Sequence, residues 1–560
     1  MKRIKFSRFI AVLSAVGIIA AADVLSANAA VIDNGLGVSA SFENFNNTEV
    51  SAASSDVSKL PSKYSSVDFG YVTDIKNQGS NDCWAYAGIS TFESKLLREG
   101  INIGNMSAQW ANVWATTKLN GKGWQRNYNS DGYNDIITGY LTSWYGGILE
   151  SDIAPVDLDG DIYGDMAPSN LAKYGTTSIR YLSNTDPDRI KQSIMDNGGV
   201  YTSYAHTINC MNDNTSYYMP DSYSGTYTGH AVEIVGWDDN YSKDLFKSSN
   251  EEKPRNNGAW LVRNSWGDYN SLGGYFWISY EDKYVFSTKY KPSFTIEEVM
   301  PITDNVKLKQ NEIYGATYEF SYLVSDDITY INRFDFSDDY NVIDKVVFET
   351  KCAGADYEIY YIPVENEVPV NDESDWIMLD SGKVEFSGYI CADFEDFSVP
   401  SADGAVAVRI DTTALNEGKS YNEDSSYVIN SLGVEEWRRT SAGVYTFIND
   451  SEYGDSFIKY GRQMKELLDW YKEYLNDDMG GTFVIKAVTR KDTQDYSKLG
   501  DVNLDGDVSI DDVTLTQKYI ANLEELSEQS IKNADIDGNS KIEIDDVTLI
   551  QKYIAGIYEW

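Results

Sequence analysis

Near the C-terminus, "SIDDVTLTQKYIA" (Ser509–Ala521) returns 34 residues later as "EIDDVTLIQKYIA". Each copy follows an acidic loop, so the tail is two copies of one loop–helix unit. In "DVNLDGDVSIDD", Asp501, Asn503, Asp505, Ser509 and Asp512 put side-chain oxygens at positions 1, 3, 5, 9 and 12. Gly506 occupies the sharp-turn position 6, and Asp507 offers its carbonyl at position 7. This is EF-hand calcium spacing with Asp in place of the last Glu; hard calcium takes six to eight oxygens, which such a loop supplies. The second loop, "DIDGNSKIEIDD", matches it with Asp535, Asp537, Asn539, Glu543 and Asp546, and Lys541 contributes a backbone carbonyl. Ser540 stands where Gly506 stood, which predicts a weaker second site. The pattern predicts two calcium ions.

The 560 residues carry a net charge of −41. Such a chain repels nucleic acid and anionic membranes, and suits calcium and cationic partners. Residues 1–30 read as an export signal: Lys2, Arg3, Lys5 and Arg8, then an apolar run from Phe9 to Ala22, then Ala27-Asn28-Ala29. The run is too short to cross a bilayer, and no later stretch spans one. The predicted location is therefore outside the cell. Four cysteines, Cys83, Cys210, Cys352 and Cys391, are too few for a disulfide scaffold. Cys352 and Cys391 lie in one β-rich region and are candidates for pairing in an oxidising compartment.

Composition and pattern divide the rest. Residues 31–59 are Ser-, Asn- and Ala-rich and aperiodic, a flexible segment. Residues 60–290 combine a helical opening with later strands such as "HAVEIVGW" and "YFWISY". Residues 300–490 alternate repeatedly ("DKVVFET", "DYEIYYIP", "GAVAVRI", "GTFVIKAV"), which predicts a β-sandwich, interrupted by one helix in "YGRQMKELLDWYKEYL". Residues 491–498 read as a linker before 499–560.

Chemistry concentrates in 60–290. Cys83 begins an apolar-periodic segment whose Ile89, Phe92 and Leu96 share one helical face. A helix start favours a thiolate, and so would a protonated imidazole beside it. There are only two histidines: His230 opens a predicted strand, while His206 matches no catalytic motif and is expected in the core or on the surface. Asn264, two residues before Trp266, offers an orienting group for an imidazole.

"KNQG", "CWAYA", "GHAVEIVGW" and "RNSWG", in this order, resemble the papain-like cysteine peptidases, over about residues 60–290. The resemblance implies Cys83 as nucleophile, His230 as general acid/base, Asn264 as its orienter and Trp266 as a shield. It implies an oxyanion donor at Gln78, with Asn77 the alternative because the loop to Cys83 is one residue short of the family pattern. It implies that Gly146 and Gly147, in "YGGILE", bind the extended substrate backbone. Asp82, beside the nucleophile, is expected to cap the helix and point away. Residues 300–490 resemble the lectin-like sandwich that accompanies such peptidases; Trp376, Trp437 and Trp470 are its candidates for sugar stacking, with core packing the commoner use.

The tail resembles a type I dockerin, which implies docking onto a cohesin of a scaffolding protein. Val513, Thr514, Leu515, Lys518 and Tyr519, with Val547, Thr548, Leu549, Lys552 and Tyr553, are the candidate contact faces; the Leu positions are expected in the core. The expected architecture is multidomain: an α+β papain-like peptidase, a β-sandwich and a small all-α calcium-binding dockerin. The expected function is a secreted cysteine endopeptidase acting on protein or peptide substrates. A catalytically inactive peptidase fold displayed on the same scaffold is the competing reading. A glycoside hydrolase would need a carboxylate pair that so acidic a chain does not single out.

Overall fold

A computed structural model describes residues 60–560 apart from 117–122, 125–127, 153–171, 184–185, 248–251, 288–291, 322–326, 420–425, 437–446, 449–453, 476–480, 492–497 and 559. The predicted export signal, the 31–59 segment, Trp437 and most of the predicted linker lie outside the described residues. The chain divides into two compact units after Arg490. Among the described residues, no helix is long and apolar enough to cross a membrane.

The first unit is organised by helix α1 (Cys83–Arg98). Its apolar stripe is buried as predicted, but so is the rest: every residue from Cys83 to Leu96 is buried, Glu93 and Lys95 included. Helix α2 (Asn134–Thr142) packs against it. Strands β1 (Tyr174–Leu182), β2 (Val200–His206), β3 (Thr228–Asp238), β4 (Ala259–Arg263) and β5 (Tyr275–Ser279) follow, then β6 (Ser293–Pro301). Their sheet order is β1-β6-β2-β3-β4-β5.

That sheet does not end at the predicted boundary near residue 300. Strand β1 pairs onward with β8 (Gly388–Ser398), which pairs with β7 (Val342–Thr350), then β9 (Ile485–Arg490). Successive residues of a strand point to opposite faces, and here the faces serve different cores. Val347, Tyr389 and Val488 join the core around α1. Their neighbours Val346, Phe348, Ile390 and Ala487 join a second core with Ile328, Tyr330, Ile359, Val408 and Ile458. The latter come from a second sheet, so the predicted sandwich exists, with one of its layers shared. Trp376 and Trp470 are buried at 8% and 5% exposure, the commoner use foreseen for them. The predicted helix in "YGRQMKELLDWYKEYL" covers only Leu467–Leu475. Gln463–Glu466 is instead a strand that turns back on Ser456–Tyr460, because Gly461 takes φ +56° at the two-residue turn. All four cysteines are free: Cys352 is engaged by Ser431, and no Cys352–Cys391 bond exists.

Residues 310–316 nail the two cores together. Glu312 and Lys486 form an ion pair at 0% exposure on both sides. Glu435 accepts from the N–H groups of Ile313 (2.8 Å) and Tyr314 (2.6 Å). Tyr314 lies directly on α2: a Cβ at Gly139 would sit 2.0 Å from its carbonyl oxygen.

The second unit contains α3 (Ile510–Ile520) and α4 (Ile544–Ile554), packed on each other over Val502, Val513, Ala534, Ile536, Val547 and Ile550. Val513 and Val547 are therefore core rather than contact face, because each lies on the side its helix turns to the other repeat. Leu515 and Leu549 pack partly buried against that core. Both helices start with capping boxes, Ser509/Asp512 and Glu543/Asp546. The left-handed positions exchange between loops: Leu504 (φ +62°) and Gly506 (φ +92°) in the first match Gly538 (φ +69°) and Ser540 (φ +64°) in the second. Each loop thus carries one strained non-glycine, so the strain expected of Ser540 in the second loop is matched by Leu504 in the first. The indole of Trp560 stacks on Tyr553 (4.1 Å) and fills the space a Cβ at Gly500 would take.

Gly139→Val tests the joint. Its side chain would drive Tyr314 off α2, an overpacking cost on the order of 1–3 kcal/mol. Thermal unfolding should show the first unit's transition lowered and the second unit's unchanged.

Candidate active site

Cys83 is the first residue of α1. The Asp82 carbonyl accepts from the N–H groups of Ala85 (2.9 Å) and Tyr86 (3.2 Å), which begins the helix. The Asp82 side chain makes no capping hydrogen bond, contrary to expectation, and it is 1% exposed. The helix start is sunk in the core, so the carboxylate is held beside the thiol instead of turning to solvent. Cys83 Sγ accepts from the Ala231 N–H at 3.4 Å, which seats the sulfur against β3 next to His230.

His230 Nε2 lies 2.8 Å from Asn264 Oδ1. Asn264 is fixed in turn: Oδ1 also accepts from the Ser265 N–H (2.8 Å), and Nδ2 donates to the Tyr269 hydroxyl (3.2 Å). With the amide oxygen facing the ring, a neutral imidazole carries its proton on Nε2 and leaves the Nδ1 lone pair free. Trp266 stacks over the imidazole at 4.6 Å and 19°. Cys83 and His230 are both 0% exposed. Burial, the larger effect, with Asp82 and Asp131 adding to it, pushes the Cys83 thiol up to about 12. Burial pushes His230 down to about 3, against the Asn264 hydrogen bond. Both shifts oppose the thiolate and imidazolium forms that the helix start was expected to favour.

Gln78 reaches this site. Its N–H donates to the Ser265 carbonyl (2.8 Å), and its Oε1 accepts from the Ser265 hydroxyl (2.7 Å). Its Nε2 donates to the Ser80 carbonyl (2.9 Å), which tightens the short loop before Cys83. Asn77 lies beside Gly267 instead.

Gly146 and Gly147 do not border Cys83. They form the turn after α2, where Gly147 has φ +80° and a Cβ would press on Phe92. Phe92 is nine residues along α1 from Cys83, roughly 13 Å at helical rise. The glycines are needed there for chain reversal and close packing. The residues that do border Cys83 precede α2: Asn81 Nδ2 donates to the Asn129 carbonyl (3.0 Å), and Gly132 abuts the Trp84 indole. The signal for them is the polar turn "SDG" just before a helix.

One buried ion network joins these parts. Arg263, before Asn264, donates to Glu233 on β3 (3.0 Å) and to the Thr73 and Asp74 carbonyls (2.9 and 2.8 Å). Lys76, before Asn77, pairs with Glu93 on α1 (3.0 Å). Glu93 also takes the Thr73 hydroxyl and the Met106 N–H.

In the second unit, Asp535, Asp537 and Asp546 bring ligand oxygens within 4.8 Å of one another, which fits a hard cation. Both last-position carboxylates close their loops, Asp512 accepting from Val502 and Asn503, Asp546 from Ile536. Burial and then the charges of Asp512 and Asp505 raise the Asp501 carboxyl against the Gly506 N–H, a repulsion that a cation relieves. Ser509 Oγ caps α3 by accepting from the Asp511 N–H, and the Glu543 N–H donates to Asp546 at the start of α4. Sequence reasoning missed Ile510 and Ile544, each 60% exposed at the same place on α3 and α4.

Family comparison agrees with this division. Residues 60–296 match the papain family cysteine protease model, 309–458 a lectin-like domain and 499–555 a type I dockerin domain. Macrodontain-1 from Ananas macrodontes is 27% identical over 214 residues, covering 37% of this chain and 84% of that protein. Cathepsin J from Rattus norvegicus is 26% identical over 228 residues, 38% of this chain and 58% of that protein. Among solved structures, the clostridial cysteine protease Cwp84 after propeptide cleavage aligns with TM-score 0.65 and 36% identity, over 77% of this chain and 99% of that one. The cysteine protease and lectin-like domains of Cwp84, described as a surface layer associated protein of Clostridium difficile, align with TM-score 0.68 and 33% identity, over 85% and 96%. With a thiol at a helix start, an imidazole held by an asparagine and a lectin-like sandwich sharing its sheet, this chain belongs to the papain family of cysteine proteases and carries a type I dockerin domain at its C-terminal end.

Proposed function

We propose that the protein is a secreted endopeptidase that cuts peptide bonds with Cys83, His230 and Asn264 and is held on a scaffold through its dockerin. The observation that carries the reading is the 2.8 Å His230–Asn264 contact beside a thiol already seated on the Ala231 N–H. The Cys83 thiol gives its proton to His230 Nδ1 as sulfur attacks the substrate carbonyl carbon. The C–N bond breaks, and the imidazolium returns the proton to the departing amine, leaving an acyl-thioester. Water, deprotonated by His230, then cleaves the thioester and regenerates the thiol. The Cys83 N–H and Gln78 Nε2 serve the oxyanion, the latter after release from Ser80. Trp266 keeps water from the His230–Asn264 bond. The substrate backbone runs along residues 130–132 in place of Gly146–Gly147.

The dockerin binds two calcium ions. Asp501, Asn503, Asp505, Asp507 and Asp512 hold one; Asp535, Asp537, Asn539, Lys541 (by its carbonyl) and Asp546 hold the other. Ser509, engaged as a cap, and Glu543, at the same position 9, contribute through water. With calcium held there, the clustered carboxylates would be neutralised and the starts of α3 and α4 fixed. Ile510, Thr514 and Lys518, spaced four apart, form one face toward a cohesin, and Ile544, Thr548 and Lys552 form an equivalent second face. Thr514, Lys518 and Lys552 are exposed, as a docking face requires.

Three outcomes test this reading. Cys83→Ala and His230→Ala should each lower cleavage of an unfolded protein substrate by on the order of a thousand-fold or more, and Asn264→Ala by less. Undiminished cleavage in Cys83→Ala would reject the assignment, and a wild-type chain that cuts nothing would favour the inactive-fold reading.

Asp82→Asn removes a charge that raises the thiol. The pH profile of Cys83 alkylation should therefore move to lower pH, with a rate roughly two- to ten-fold higher at fixed pH, the span of up to one pKa unit. A shift to higher pH would mean that Asp82 stabilises the thiolate.

Cohesin binding by the full chain should disappear with a calcium chelator. It should survive replacement of Ile510, Thr514 and Lys518 by Ala, and fail when Ile544, Thr548 and Lys552 are replaced as well. Complete loss from the first set alone would show a single face.

A further inference from the structure

His206 is the chain's other histidine, and no motif marks it. The fold nevertheless brings it to the reactive pair. It ends β2, where Tyr204 is the cross-strand partner of His230. The His206 and His230 rings meet edge-on at 6.3 Å. Trp266 touches both, stacked on His230 and edge-on to His206 at 5.0 Å and 79°. Tyr217 lies along the remaining face of His206 at 5.8 Å.

Its protonation follows from its neighbours. Burial lowers His206 to about 4, so the ring is neutral at neutral pH. Burial also holds the Tyr204 phenol protonated, and that hydroxyl lies 3.0 Å from His206 Nδ1. Tyr204 is fully buried and its hydroxyl meets no other acceptor among the described residues, so it donates to Nδ1, and the neutral ring carries its own hydrogen on Nε2. Nε2 has no protein acceptor among the described residues, and the side chain is only partly buried. The structure therefore presents a fixed, neutral N–H donor next to the acid/base histidine.

Which part of a substrate meets this donor follows from the chemistry. The departing amine takes its proton from His230, so the chain beyond the scissile bond passes His230 and the indole that covers it. His206 borders both rings. We propose that His206 is a specificity-determining residue for the amino acid that follows the scissile bond, donating from Nε2 to a side-chain oxygen there and so favouring amide or carboxylate side chains over apolar ones. The proposal rests on the Cys83–His230 assignment.

Binding to the full-length Cys83→Ala variant tests it without turnover. Three peptides identical except for Leu, Asn or Asp after the scissile position are titrated into protein labelled with 15N-histidine. Because the chain has two histidines, only two imidazoles contribute signals. The Asn peptide, the Asp peptide or both should bind about five-fold more tightly than the Leu peptide, the worth of one neutral hydrogen bond, and should shift His206 Nε2. The Asn and Asp arms separate amide from carboxylate recognition. In His206→Phe, which keeps a ring under Trp266, the three affinities should converge to within about two-fold at the Leu value. His206→Gln, which keeps a donor, should retain part of the preference. The His230 signals report that each variant's site is intact. Equal binding of all three peptides, or a preference that survives in His206→Phe, would overturn the proposal. A parallel cleavage assay with the unsubstituted chain judges the catalytic assignment separately: preference in binding without cleavage would reject Cys83 as nucleophile, and His206 would then be a peptide contact with no scissile bond to refer to.

Discussion

Four buried charged side chains hold the segments that carry Cys83, His230 and Asn264 in register. Lys76, Glu93, Glu233 and Arg263 are each no more than 8% exposed. Each sits on a different segment: the loop of Gln78, the helix of Cys83, the strand of His230 and the strand of Asn264. A buried ion that loses its partner is costly, commonly more than the pair itself contributes. Displacement of any one segment would strand a charge in the core. The network is therefore better understood as a registration device than as a source of net stability. It keeps contacts such as the 2.8 Å His230–Asn264 bond in place across elements far apart in sequence.

What could be read from the chain depended on how local the signal was. The calcium loops were legible because their ligands sit within twelve residues, and a repeat confirmed the spacing. Cys83, His230 and Asn264 stood out in the sequence only through motifs; the sheet register that brings them together is non-local. Gly146 and Gly147 misled because a glycine pair marks a sharp turn equally well in a cleft and at a helix end. His206 was silent because a histidine at a strand end comes beside His230 only once β2 is laid along β3. Asp82 was placed correctly in sequence but given the wrong surroundings, since nothing local shows that a helix start is submerged.

That submersion also changes the electrostatics. A helix N-terminus favours a thiolate by partial charges, whereas full burial penalises any net charge on the same atom. At Cys83 the second effect is the larger, and Asp82 and Asp131 reinforce it. The repeat unit shows the opposite arrangement. Its clustered carboxylates in loops with exposed members such as Asp507 and Asp537 remain open to an ion that can pair with them.

The shared sheet has a consequence for how such a protein can be cut, swapped or inherited. Strand β7 gives Val347 to one core and Val346 to the other, so neither half owns it. A chain ending near residue 296, where the protease family match stops, would leave β1 without its β8 neighbour at Ile179 and Arg180 and uncover the face that Val347, Tyr389 and Val488 complete. Recombination at that point would produce two sticky fragments rather than two modules. The seam after Arg490 has no such defect, because the unit beyond it carries its own core. Of the three family matches along this chain, only the dockerin closes on a core of its own; the peptidase and the sandwich of this chain share a sheet and are built as one piece.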